Sequence, residues 1–97
     1  MTYKLSREAL RDLEDIWLFT YRRWSKEQAD RYYKLIFNEI EFISIRPDSG
    51  KDFGHFREGY RYTKVKSHLI FYRTHFDTLE VIRILHERMD LESRLSE

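Results

Sequence analysis

The stretch Val81-Ile82-Arg83-Ile84-Leu85-His86-Glu87-Arg88-Met89-Asp90 holds the side chains best suited to chemistry. Its first half is apolar and β-branched, as in a buried strand, and its second half is charged. A buried element of this kind delivers Arg83, His86, Glu87 and Arg88 to one place. His and Glu can serve as acid and base, and arginine stabilises developing negative charge. The set suits a general acid–base step in which the arginines neutralise developing negative charge. It equally suits a structural end, with His86 closing the last strand and Glu87 paired with an arginine. Arg83, between Ile82 and Ile84, is costly to bury unpaired; it calls for a carboxylate, a carbonyl or an aromatic face such as Tyr72. Alternatively it reads an acidic residue on a partner.

Other chemistries are disfavoured. The chain has no cysteine, so thiolate zinc sites, disulfides and thiol nucleophiles are excluded. The four histidines, His55, His68, His75 and His86, show no metal-ligand spacing. The glycines Gly50, Gly54 and Gly59 do not form a phosphate-binding pattern, and the sequence calls for no cofactor or metal. Nothing approaches a membrane-spanning run, and Met1 to Leu5 does not read as a signal peptide, so a cytoplasmic location is the default expectation. Charge is nearly balanced at +1 but unevenly distributed. Arg57, Arg61, Lys64, Lys66 and Arg73 face only Glu58 between positions 57 and 75, whereas acids predominate from Phe76 onward. A basic sheet edge of this kind attracts nucleic acid or an acidic partner, or is simply solvated.

At 97 residues, the chain is expected to form one domain, 1–97, around one core. Tyr3-Lys4-Leu5 is extended in character. Ser6 is a good N-cap, and Ala9, Leu10, Leu13, Ile16, Trp17, Tyr21 and Trp24 recur at helical spacing. Trp17 and Trp24, seven apart, are read as core. Ser25-Lys26-Glu27-Gln28 forms a capping box opening a second helix, which carries Ala29, Tyr32, Tyr33, Ile36, Phe37, Ile40, Phe42 and Ile43 and ends before Pro47. With almost no linker, the two helices form a hairpin. Arg46 to Gly59 is a loop. Strands follow at Tyr60 to Lys66, Leu69 to Phe76 and Leu79 to His86, connected by Ser67-His68 and Asp77-Thr78 as antiparallel hairpins. That register sets Thr74 opposite Val81, Tyr72 opposite Arg83 and Ile70 opposite Leu85. Both faces of the meander are then largely apolar, so each must be covered: one by the helical hairpin, the other by the C-terminal tail or a second protein. The tail after Asp90 either forms a helical turn or two capped by that residue or frays.

A strand, a helical hairpin, a glycine-containing loop and a three-stranded meander ending in Ile-Leu-His-Glu-Arg-Met-Asp resemble the RelE/ParE toxin superfamily, most nearly its ParE branch. The resemblance implies an α+β fold, β-α-α-β-β-β, with the hairpin packed on an antiparallel sheet. It also implies the toxin half of a bacterial toxin–antitoxin pair, neutralised by a ParD-like antitoxin from the same operon, with direct nucleic-acid binding expected only within the antitoxin complex. ParE members block DNA gyrase without hydrolysis; RelE members cut messenger RNA on the ribosome. RelE-like enzymes use Lys and Arg on the sheet with a Tyr near the C-terminus. Here no tyrosine follows Tyr72, and aligning the Leu-Ile-Phe-Tyr core places Leu69 where RelE proteins carry a functional Arg. The expected reading is therefore gyrase inhibition with no catalytic residue, His86, Glu87, Arg83 and Arg88 being the set for the nuclease alternative.

The partner surface is expected among the surplus aromatics and the cations. Seven Tyr, seven Phe and two Trp are a heavy load for a core of this size. Tyr21, Tyr33 and Phe37 fall off the main helical stripes, and aromatic side chains dominate binding hot spots. Together with Arg57, Arg61, Arg73 and Arg83 they are the candidate partner-binding residues.

Overall fold

A computed structural model describes residues 1–96. The order is β1 (Thr2–Leu5), α1 (Arg7–Arg23), α2 (Lys26–Ile45), a 3-10 turn (Pro47–Ser49), β2 (Lys51–Asp52), β3 (Arg61–Val65), β4 (His68–His75), β5 (Thr78–His86) and α3 (Leu91–Leu95). Both long helices begin where a serine hydroxyl accepts an otherwise unpaired backbone N–H. Ser6 Oγ takes the Ala9 N–H at 3.0 Å and Ser25 Oγ takes the Gln28 N–H at 3.1 Å. Pro47 cannot extend α2 and opens the 3-10 turn.

The sheet runs β1-β5-β4-β3-β2. The β3-β4-β5 meander is antiparallel, and β1 adds parallel to β5 at one edge. One face packs Ile70, Tyr72, Leu79, Val81 and Ile84 against Ala9, Leu13 and Ile16 of α1 and Ile36, Ile40 and Ile43 of α2. The other face packs Leu69, Phe71 and Leu85 under Phe53 and Tyr60 of the loop and Leu95 of α3. The tail thus supplies part of the second cover. Burying Leu95 contributes about 2 kcal/mol, and the Asp90 side chain caps α3 by accepting the Ser93 N–H at 3.3 Å.

Four details differ from the sequence-based expectation. First, the loop is more ordered: Lys51 and Asp52 pair with Tyr62 and Arg61 as a fifth strand, and the buried Tyr72 hydroxyl ties the 3-10 turn down by donating to Pro47 O at 2.7 Å. Second, both hairpin turns lie one residue earlier, at Lys66-Ser67 and Phe76-Asp77. Lys66 and Phe76 take φ of +55° and +54°, the first central position of a type II′ turn. Glycine normally signals that site, so a lysine and a phenylalanine conceal it. Third, the register changes with the turns: Thr74 faces Leu79, Tyr72 faces Val81 and Ile70 faces Ile84. Fourth, Trp17 and Trp24 are not a core pair. Trp24 is 68% exposed at the end of α1, while Trp17 is half-buried, stacks on Tyr21 and donates Nε1–H to Asp30 at 3.0 Å.

Candidate functional site

The second half of β5 is shaped by a bulge. Tyr72 pairs with Val81 and Phe71 with Arg83, which leaves Ile82 without an opposite residue. Ser6 sits against it: its N–H donates to Val81 O at 3.0 Å and its hydroxyl donates to Ile82 O at 2.7 Å, while the same oxygen caps α1. β1 has ended at this point, so the edge of β5 beyond the bulge lies open to α1.

Asp12 of α1 closes that edge. Its carboxylate accepts from Arg83 Nε at 2.7 Å, from Arg83 Nη2 at 3.0 Å and from the Ile84 backbone N–H at 3.0 Å. The pair is bidentate and mostly withdrawn from water, with side chains 12% and 13% exposed. Arg83 Nη1 also donates to Arg94 O at 2.8 Å, fastening α3 to the sheet. Of the partners that burial of Arg83 requires, the structure supplies a carboxylate and a carbonyl.

His86 stands directly opposite His68, their rings 5.3 Å apart and nearly perpendicular. His68 Nδ1 lies 2.7 Å from the hydroxyl of Tyr32 on α2, which is also 3.0 Å from Val65 O. Burial, with His86 beside it, pushes His68 down to about 4, so its ring is neutral at physiological pH. Burial likewise raises Tyr32 above the usual phenol value. The Arg88 N–H donates to His86 Nδ1 at 3.1 Å. Glu87 turns away to Lys64, 2.9 Å distant, whose hydrogen bond holds that carboxyl below the usual range.

Along this edge runs a cleft of about 800 Å³. Its α1 wall includes Asp12, Ile16 and Phe19, and its floor includes His68, Ile84 and His86. Phe19 is 68% exposed, and Met89 at the rim is also exposed. The four residues of the nuclease alternative therefore do not converge. His86 reaches the cleft, Arg83 lines it while paired with Asp12, and Glu87 is bound to Lys64. No group of three or more His, Asp or Glu side chains among the described residues could hold a metal ion.

The remaining candidates are dispersed. Arg57 lies over the rings of Phe56 and Tyr60 at 5.3 and 5.7 Å, Arg61 donates to Gly50 O at 2.8 Å, and Arg73 pairs with Glu80. Much of the basic window is thus matched inside the fold. Tyr21 is exposed and stacked on Trp17; Tyr33 is exposed against Phe37, with ring centroids 4.9 Å apart. Asp12, His68, Tyr32 and Phe19 were not singled out from sequence. Asp12 has no local signal, being one of several acids on the polar side of α1. Phe19 had one, an aromatic residue outside the helical stripe.

Comparison with known proteins gives a consistent picture. Residues 3–91 match the family model for the ParE toxin of the type II toxin–antitoxin system parDE. The chain is 40% identical over 93 residues to Toxin ParE1 of Caulobacter vibrioides and 39% identical over 94 residues to Toxin ParE1 of Mycobacterium tuberculosis, each match covering 96% of both chains. It is 31% identical over 96 residues to Toxin ParE of Escherichia coli, covering 98% of this chain and 93% of the relative. In fold it is similar to a chain of the chromosomal ParDE system of P. aeruginosa, with a TM-score of 0.77, 18% identity and coverage of 89% and 95%.

Proposed function

The chain belongs to the ParE toxin family of type II toxin–antitoxin systems, and from that premise we propose that it inhibits DNA gyrase by binding, without hydrolysis, and is neutralised by a ParD-like antitoxin. We place this action in the cytoplasm and assign it to residues 1–97 as one toxin unit. No described helix is long and apolar enough to cross a membrane.

One observation carries the preference for binding over RNA cleavage. Arg83, the cation best placed to stabilise a phosphorane beside His86, has its guanidinium edge taken up by the Asp12 carboxylate. A cation so paired has little field left for a transition state. The position of Glu87 on Lys64 points the same way.

The α1–β5 cleft is the proposed seat of the antitoxin. Exposed Phe19 and Met89 beside buried Ile16 and Ile84 suit the apolar face of an amphipathic segment, and Glu8, Arg11 and Arg94 supply charges around it. Tyr21, Tyr33, Phe37, Arg57, Arg61 and Arg73 are proposed as further partner contacts, with Arg83 acting through the cleft wall.

Purified toxin added to gyrase and, separately, to translating ribosomes tests the reading. Blocked supercoiling with intact message is the expected result. Unimpaired supercoiling with cut message would establish the nuclease alternative. Normal growth on expression without antitoxin would mark a family member that has lost toxicity.

A further inference from the structure

The cleft floor presents two imidazoles whose outward nitrogens are of opposite kind. Tyr32 has one hydroxyl hydrogen; its oxygen lies 3.0 Å from Val65 O and 2.7 Å from His68 Nδ1, and Ser67 also hydrogen-bonds to it. A carbonyl oxygen can only accept, so the tyrosine hydrogen goes to Val65 and His68 Nδ1–H donates to Tyr32 Oη. In a neutral ring that leaves His68 Nε2 with a bare lone pair. The opposite tautomer holds in His86. Its Nδ1 accepts the Arg88 N–H, so its hydrogen is on Nε2. Among the described residues no buried side-chain nitrogen lacks a partner, and neither Nε2 is hydrogen-bonded within the chain. Both therefore open to solvent in the cleft they line. An acceptor and a donor stand side by side, on rings 5.3 Å apart.

We propose that His68 and His86 form a recognition site for a carboxamide, the side chain of an asparagine or glutamine on the antitoxin segment seated in the cleft. This rests on the antitoxin reading above. The carboxamide NH₂ donates to His68 Nε2, and its oxygen accepts from His86 Nε2–H. Other groups fit less well. A carboxylate would set its lone pairs against that of His68, and an ammonium would meet the N–H of His86. The surrounding groups keep His68 in this state. Tyr32 on α2 holds the His68 tautomer, while the charges of Asp12 on α1 and Glu87 past β5 act on a ring already held neutral by burial.

The test is binding of the ParD-like antitoxin by titration calorimetry. His68→Asn keeps a group near Nδ1 for Tyr32 and removes Nε2; His86→Asn keeps an acceptor for the Arg88 N–H and removes the Nε2–H. Each variant is expected to melt within a few degrees of wild type and to bind about tenfold more weakly, the loss left by one unpaired polar group at an interface. Changing the antitoxin's Asn and Gln residues singly to Leu identifies one whose loss is of similar size and adds nothing to that of His68→Asn. Wild-type affinity carries no pH dependence that the His68→Asn variant lacks, because a carboxamide contact moves no proton on His68. Affinity that rises as pH falls in the wild-type chain and not in His68→Asn would show a carboxylate bound with proton uptake by His68 and overturns the assignment. Wild-type affinity in both histidine variants overturns it too. So does a loss in those variants with every Asn and Gln substitution silent, since the pair would then read main chain. Failure of the wild-type chain to bind the antitoxin at all overturns the proposed function and this inference together.

Discussion

Asp12→Ala should be among the most destabilising single changes in the chain, although Asp12 sits on the polar side of its helix. The substitution removes three hydrogen bonds at once, two from Arg83 and one from the Ile84 N–H. An orphaned backbone N–H costs about 1–3 kcal/mol. Breaking a buried ion pair by deleting one partner costs about 3–5 kcal/mol, because the remaining charge is left uncompensated. These side chains keep slight exposure, and Arg83 retains the Arg94 carbonyl, so the combined loss works out at about 3 kcal/mol. For a domain of this size that lowers Tm by about 10–20 °C. Asp12→Asn keeps an acceptor and loses the charge, and should cost about half as much. Urea titration at pH 7 with a common slope measures both. Arg83→Met combined with Asp12→Ala should be less damaging than the two effects added, since no unpaired charge remains. A loss below about 1 kcal/mol for Asp12→Ala, or strict additivity in the cycle, would refute the account of the β5 edge as closed by a buried ion pair.

Two further outcomes follow from the site and its support. His68 takes up a proton near 6.5 when unfolded but only near 4 when folded, so the unfolded chain is favoured as pH falls through that window. Stability is full above about pH 6.5; about 3 kcal/mol at complete burial, reduced to about 1–2 for a ring partly open to water, is lost by pH 4. Urea midpoints between pH 7 and 4.5 should show this slope, and His68→Asn should flatten it. Gly50→Ala should destabilise by about 2 kcal/mol or more: a Cβ there would overlap the Tyr72 hydroxyl, which accepts the Gly50 N–H and cannot retreat from the core. Thermal melting is sufficient to check it.

Serine caps followed by apolar residues at three-and-four spacing are local signals, so both helices could be placed from Ser6 and Ser25 onward. The apolar character of both strand faces likewise required two covers, and α3 with the aromatic loop provides the second. The turns were misplaced because Lys66 and Phe76 adopt a conformation whose usual signal is glycine. Asp12 was illegible for a different reason. Its partner lies 71 residues away, and no periodicity within a helix reports on the open edge of a strand it crosses. The His68–His86 pairing was hidden by the bulge: moving the turn by one residue shifts the register by two and keeps every face, whereas the extra residue at Ile82 shifts it by one and turns Ile84 and His86 to the face of Ile70.

The bulge at Ile82 gives the Val81–Asp90 stretch its character. Leu79 and Val81 face the helices, and strict alternation would send Arg83 and Leu85 after them, leaving Ile84 and His86 on the loop side. The extra residue resets the phase, so Ile84 joins the helix-side core and Leu85 joins Phe53 and Phe71 on the other. Two consequences matter for function. His86 is brought opposite His68 on the helix-facing side, where the cleft opens, and Arg83 is turned to the edge where Asp12 waits. Ser6 holds both ends of this device, capping α1 and binding the bulge carbonyl with one hydroxyl. The helix that forms the cleft wall and the strand that forms its floor are thereby set by a single residue. A stretch whose composition suggests an active site is converted by one unpaired residue into a locked edge beside the floor of a cleft.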